Sequence, residues 1–186
     1  MLRFTRGRVK DILLFDSFRQ TQRSNNMHKE IPIFFSTDDA YVPYLDVAIA
    51  SLIANASKDY TYRIVILHTG LKAENTETLK LRARDGFVID CVDISEALKD
   101  IQSHFKDVYH FSVVTYYRLF IASLFPQYEK IVYLDCDLVV LGDIAALYHT
   151  ELGENILGVV ADAHVRNTPD QSVCRKRHRR CPRRVF

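Results

Sequence analysis

The chain has 186 residues, 48% hydrophobic and 26% charged, with four cysteines. That is enough for one domain with a sizeable core and an ordinary water-facing composition, and too little for two comfortable domains. The formal net charge of +2 hides a segregation. Residues 1–26 carry six Lys/Arg against two Asp/Glu, residues 171–186 carry seven against none, and residues 27–170 hold twelve basic against twenty-one acidic side chains, a net of −9. A body this acidic is poorly suited to unaided phosphate binding and suits a site that recruits a divalent cation.

Met1 to Asn26 has mixed charge and no sustained period, and reads as a disordered or mis-annotated extension. Met27, just ahead of the first clear element, is a candidate true start. Within the extension, Ile12–Phe15 is short and bracketed by Asp11 and Asp16, so it is not a signal-peptide core. No run approaches the roughly 18 apolar residues of a membrane span. From Ile31 the chain alternates strand and helix patterns. Residues 31–36 form a first strand. Leu45, Ala48, Ile49, Leu52 and Ile53 follow the spacing of a one-sided helix. Tyr62–His68 is a near-continuous apolar run, as expected for a strand covered on both faces. A helix over Lys72–Arg84, a turn at Asp85-Gly86 and a strand over Phe87–Val92 come next. Thr115–Ser123 predicts another helix, Ile131–Leu134 a fourth strand and Ile156–Ala161 a fifth. This alternation means an α/β unit with a mostly parallel sheet and right-handed crossovers.

The order collapses after Asp170. Residues 171–186 have no apolar period and are rich in Arg. Such a tail could contact several phosphates of a nucleic acid, and a shifted reading frame with an early stop gives the same look. The latter is the expectation here, with nucleic acid not expected as a partner. Cys91, Cys136, Cys174 and Cys181 contain no Cys-x-x-Cys pair. Neither a zinc site nor a disulfide framework is indicated, and a cytoplasmic location is the default.

The segment with the most chemistry is Lys130-Ile-Val-Tyr-Leu-Asp135-Cys136-Asp137-Leu-Val-Val140. In extended backbone, residues i and i+2 point the same way. Asp135 and Asp137 are therefore expected to project together from the carboxyl end of a buried strand, where open α/β sheets bind ligands, with Cys136 facing the other side. Adjacent carboxylates repel unless a proton or a cation sits between them, and oxygen-only ligation suits Mg2+ or Mn2+. An Asp-x-Asp triplet is weak by itself, since about one is expected by chance with this much Asp. Its apolar flanks make it informative. A turn with two solvated aspartates is the plain alternative. At the end of the first strand, Ser36-Thr37-Asp38-Asp39-Ala40-Tyr41 offers small residues, carboxylates for a base N–H and an aromatic ring for stacking. Asp38 or Asp39 could equally cap the following helix, and the roles are compatible. Arg118, early on a predicted helix, could bind diphosphate, orient an acidic partner or form an ordinary salt bridge.

Taken in this order and spacing, these pieces resemble glycosyltransferase family 8, from about Ile31 to about Asp170. The resemblance includes the Tyr44–Ser51 helix, Thr115-Tyr116-x-Arg118-Leu119 and Leu157-Gly158-Val159-Val160-Ala161-Asp162. It implies a Rossmann-like, nucleotide-diphospho-sugar transferase (GT-A) fold over residues 27–170, a mostly parallel sheet with flanking helices, lacking its acceptor half on the C-terminal side. It also implies Mn2+ or Mg2+ held by Asp135 and Asp137. The donor would be UDP-glucose or UDP-galactose, bound by Ser36, Thr37, Asp38, Asp39, Tyr41, Phe111, Arg118, Asp135 and Cys136. Arg118 and Asp162 would work at the transferred sugar. The implied reaction is hexose transfer, with retention, to a saccharide or lipopolysaccharide acceptor by a protein with no integral membrane segment and peripheral contact at the inner membrane surface. Ala40 departs from the pattern, where relatives can carry a polar residue contacting the nucleotide. A late acceptor-side strand and a third, histidine metal ligand are absent, which leaves a UDP- and metal-binding fragment as the alternative. A related phosphatase or nucleotidyltransferase would need more acidic ligands near Asp135 than the sequence offers.

Overall fold

The computed structural model describes residues 30–99 and 113–159. The N-terminal extension, Met27, Phe111, Asp162 and the basic tail lie outside the described residues. The chain divides into two compact units, Met1–Tyr148 and His149–Phe186.

In the first unit the described elements are β1 (Glu30–Ser36), α1 (Val42–Asn55), β2 (Thr61–His68), α2 (Ala73–Lys80), β3 (Phe87–Asp93), α3 (Ser95–Leu98), a 3-10 helix (Val113–Phe120), α4 (Ile121–Leu124), β4 (Val132–Tyr133) and α5 (Ile144–Tyr148). The strands form one sheet in the order β3-β2-β1-β4, parallel throughout. The sheet grows from β1 through β2 to β3, then turns back to place β4 on the other side of β1. That reversal puts the topological switch point between β1 and β4, with a crevice beyond their carboxyl ends.

The two-residue period of the strands sorts the core into two layers. Ile31, Ile33 and Phe35 of β1 and Tyr62, Ile64 and Ile66 of β2 face α1, where Leu45, Ala48, Ile49 and Leu52 form the buried stripe. Phe34, Val65 and Leu67 face the opposite way, against Leu98, Tyr117, Ile121 and Phe125. Phe34 meets Phe125 edge-on at 5.0 Å. Both faces of β1 and β2 are covered, which is why these strands read as continuous apolar runs rather than alternating ones. Three charged side chains of this sheet pair across the strands: Arg63 of β2 bridges Glu30 of β1 at 3.1 Å and Asp90 of β3 at 2.7 Å.

Three expectations need correction. The helix over 115–123 is a 3-10 helix followed by the single α turn of α4, whose tighter pitch brings Thr115 and Arg118 onto one edge. The helix over 72–84 ends at Lys80 and passes through a turn, and Gly86 (φ +79°) leads the chain into β3. Of the strand expected over 156–161, residues 156–159, in the second unit, form none and Ile156 is 67% exposed, while residues 160 and 161 lie outside the described residues. A strand is held by its ladder partners, and none pairs with 156–159 among the described residues.

Candidate active site

Two loops meet at the switch point. The first leaves β1, which runs in register with β2 as far as Ser36 opposite Leu67. The Thr37 amide then donates to the Leu67 carbonyl at 3.0 Å, so Ser36 and Thr37 are still buried. Asp38 turns the chain. Its Oδ1 accepts from the amides of Ala40 (3.0 Å) and Tyr41 (3.1 Å). That is an Asx-type turn ahead of α1 rather than a cap on its first turn. Pro43 opens α1, where its fixed φ suits the first positions and no N–H is missed. Asp39 points away from Asp38's turn. Its Oδ1 accepts from the Lys72 amide (3.0 Å) and Asn75 Nδ2 (2.6 Å) at the start of α2. These bonds, Asn75's first, hold the Asp39 carboxyl below the usual value. Neither carboxylate caps α1 as foreseen: Asp38 closes its own turn, and Asp39 is bonded to the start of α2. Tyr41 and Tyr44 stand half exposed with rings 5.6 Å apart, an aromatic surface next to the loop.

The second loop leaves β4. Val132 and Tyr133 pair with Ile33 and Phe34, and the Leu134 amide still donates to the Phe34 carbonyl at 3.0 Å. Beyond it, Asp135 and Asp137 are exposed and Cys136 is buried between them, the alternation expected from the sequence. The Cys136 thiol donates to the Ser36 carbonyl at 3.0 Å and so pins the second loop to the first. Burial pushes this thiol up to about 11, against the Thr37 hydroxyl, while the negative charges of Asp135, Asp137 and Asp38 push the same way. The three carboxylates therefore share one electrostatic neighbourhood.

Arg118 closes the third side. Its Nη2 donates to Asp135 Oδ1 at 3.0 Å and its Nε to the Thr115 carbonyl at 2.9 Å. Its guanidinium lies 4.5 Å from the centroid of the Tyr133 ring. Burial raises the Tyr133 phenol, partly offset by the Ser36 hydroxyl and by Arg118; the Ser36 Oγ itself is buried and makes no hydrogen bond of ordinary geometry among the described residues. Of the predicted site residues, Ser36, Thr37, Asp38, Tyr41, Arg118, Asp135, Cys136 and Asp137 belong to the two loops and the 3-10 helix that line the crevice, whereas Asp39 is turned to α2. Tyr133 and Tyr44 were missed. Tyr133 lies two residues before Asp135 and Tyr44 three after Tyr41, so strand and helix spacing could have pointed to both. Among the described residues no three His, Cys, Asp or Glu side chains converge to hold one metal ion.

A parallel α/β sheet whose strand order reverses at this switch point, with solved glycosyltransferases as structural neighbours, defines a GT-A type glycosyltransferase fold. The galactosyltransferase LgtC, solved with donor and acceptor sugar analogs, superposes with a TM-score of 0.62 at 28% identity, covering 77% of this chain and 51% of that one. The bifunctional glycosyltransferase WbbM gives a TM-score of 0.58 at 30% identity, covering 68% of this chain and 22% of that one. Residues 32–184 match the profile of glycosyl transferase family 8, and the chain belongs to that family. General stress protein A of Bacillus subtilis is 25% identical over 129 residues, 68% of this chain and 44% of its own. Glycosyltransferase GlyE of Streptococcus pneumoniae is 30% identical over 127 residues, 67% of this chain and 30% of its own. The chain thus spans less than half the length of these curated relatives. No helix among the described residues is long and apolar enough to cross a membrane.

Proposed function

We propose that this domain binds a UDP-hexose, glucose or galactose, with Mn2+ or Mg2+, for transfer with retention to a saccharide or lipopolysaccharide acceptor. The observation that carries the reading is the meeting of the Ser36–Tyr41 loop and the Asp135–Asp137 loop at the β1/β4 switch point, joined by the Cys136–Ser36 hydrogen bond. The donor set fits the cation in kind. Two exposed carboxylates on one loop are hard oxygen ligands, and water and diphosphate oxygens complete the shell of Mg2+ or Mn2+. A bound cation supplies Lewis acidity toward the departing diphosphate.

The chain's own residues divide the remaining work. Asp135 and Asp137 hold the cation. Arg118 spends Nε on Thr115 and one Nη2 donor on Asp135, and its other donors face diphosphate and donor sugar. The Asp38 carboxylate accepts from the uracil N–H through the oxygen its own turn does not use. The exposed Tyr41 ring offers a face for stacking. By the family resemblance alone, Phe111 is assigned to the uridine and Asp162 to the transferred sugar; both lie outside the described residues. With retention, the acceptor hydroxyl attacks from the face that the diphosphate leaves.

The test is calorimetric titration of UDP into the folded chain with Mn2+, with EDTA and in the Asp137→Asn variant. Binding with Mn2+ that is lost in both other arms is the expected result, and a folded chain that binds UDP in none of the three refutes the reading. Hydrolysis of the UDP-sugar, measured beside it, separates a turnover-competent site from one that only binds, because a competent site transfers sugar to water without an acceptor.

A further inference from the structure

The turn that follows β2 touches both flanks of this crevice. His68, buried at the end of β2, is not solvated at Nδ1. That nitrogen accepts from the amides of Gly70 (3.2 Å) and Leu71 (3.3 Å), so the ring proton sits on Nε2. Gly70 takes φ +102°, a left-handed conformation that L side chains rarely adopt, and it lets the chain double back over the ring. The turn shaped this way makes two outward contacts. The Thr69 hydroxyl meets the Tyr117 hydroxyl at 2.7 Å, one residue before Arg118 on the 3-10 helix. The Lys72 amide donates to Asp39 at 3.0 Å, one residue after Asp38 on the β1 loop. The groups facing His68 are Asp93 of β3, Asp39 of the β1 loop and Lys80 of α2.

We infer that the Thr69–Lys72 turn, shaped by His68, is a strut that sets the spacing between the Asp38 loop and the Arg118 helix, making His68, Thr69, Asp39 and Tyr117 positioning residues for donor binding. The inference rests on the reading of those two flanks as donor-binding. Tyr117 is buried in the layer under β1 and β2, so its hydroxyl is fixed relative to the sheet. Asp39 is tied to α2 through both Lys72 and Asn75. A change in the turn is therefore transmitted to both sides at once, rather than absorbed by a loose side chain.

The experiment compares His68→Asn, His68→Gln and Thr69→Val in the full chain. In Asn, Oδ1 stands where Nδ1 stands in His, the same number of bonds from Cα, so the acceptor for Gly70 and Leu71 is kept. In Gln it is one bond further out. Amide hydrogen exchange without UDP is the first readout. His68→Gln is expected to speed exchange at Gly70, Leu71 and Lys72, and also at Ala40 and Tyr41, by about fivefold or more, the loss of one net hydrogen bond. His68→Asn is expected to stay near wild type. UDP affinity with Mn2+ should fall in the same order, and Thr69→Val, an exposed position, should lower it by about fivefold with little change in melting. Faster exchange that stops at Lys72 and leaves Ala40 and Tyr41 unchanged overturns the strut, as does a His68→Asn variant no better than His68→Gln. A wild-type chain that is folded but binds no UDP refutes the donor reading instead, and exchange at Ala40 and Tyr41 still decides whether the strut couples the two segments.

Discussion

Replacing Arg118 by Met separates a donor-binding arginine from a merely structural one. The substitution keeps most of the apolar stem and removes the charge. From the structure, its stability cost is small. The pair with Asp135 is a single N–H···O contact of 3.0 Å between side chains that are 28% and 58% exposed, so solvent screening limits it to about 0.5–1 kcal/mol. The guanidinium 4.5 Å from the Tyr133 ring adds about 0.5–1 kcal/mol at such a half-exposed place. Together they amount to roughly 1–2 kcal/mol, a shift of only several degrees in melting. Donor binding is the larger stake. A charged hydrogen bond to diphosphate is worth about 1.5–3 kcal/mol, so UDP affinity with Mn2+ should drop at least tenfold, with Arg118→Lys in between because it keeps charge but loses the planar fork. Calorimetry on variants shown to be folded decides it. A UDP affinity within twofold of wild type, alongside the small melting shift, refutes the donor role and leaves Arg118 as a structural ion pair.

The pH dependence of stability should carry the mark of His68. Burial lowers its pKa in the folded chain below the usual 6.5, against Asp93 and Asp39, which raise it. Above pH 6.5 its contribution is fully present. As pH falls through that value the unfolded chain takes up the proton first, and stability is lost until the folded chain is protonated too. The urea midpoint of wild type should therefore fall faster than that of His68→Asn from pH 6.5 downward, and parallel curves would contradict this. Phe34→Ala removes a fully buried ring from the Phe125 and Tyr128 contacts and should cost about 3–5 kcal/mol in urea unfolding. Gly86→Ala forces an L side chain into φ +79° at the turn into β3 and should cost about 1–2 kcal/mol, although its Cβ has room.

The elements that were readable in the sequence are those whose signal is local. β1 and β2 announce themselves as apolar runs because both sheet faces are covered, and α1 shows its buried stripe at helical spacing. The Asp135-Cys136-Asp137 alternation was legible because a strand enforces it, even though only Val132 and Tyr133 pair in β4. What was not legible depends on partners distant in sequence. Leu157 and Val159 look like a strand until no neighbour pairs with them among the described residues. The 3-10 pitch of Val113–Phe120 has nearly the same apolar pattern as an α-helix. Asp39 and Asp38 are adjacent and chemically identical, and only the fold assigns one to α2 and the other to its own turn. His68 reads as the last residue of an apolar run, with nothing in the run to show which backbone amides its ring would accept.

The hydrogen bond from Cys136 to Ser36 joins residues one hundred positions apart. Closing a loop of that length is a non-local event whose entropy must be met before the contact returns anything, so such contacts tend to form late in folding. In the reading advanced here the nucleotide pocket exists only once this closure is made, and no isolated stretch of the chain contains both of its walls. UDP would then stabilise only molecules that have completed the closure, by about 2.7 kcal/mol at a concentration a hundred times its dissociation constant. Ligand-induced protection against heat or protease would count finished molecules in a preparation where collapsed but unclosed ones have the same helix content.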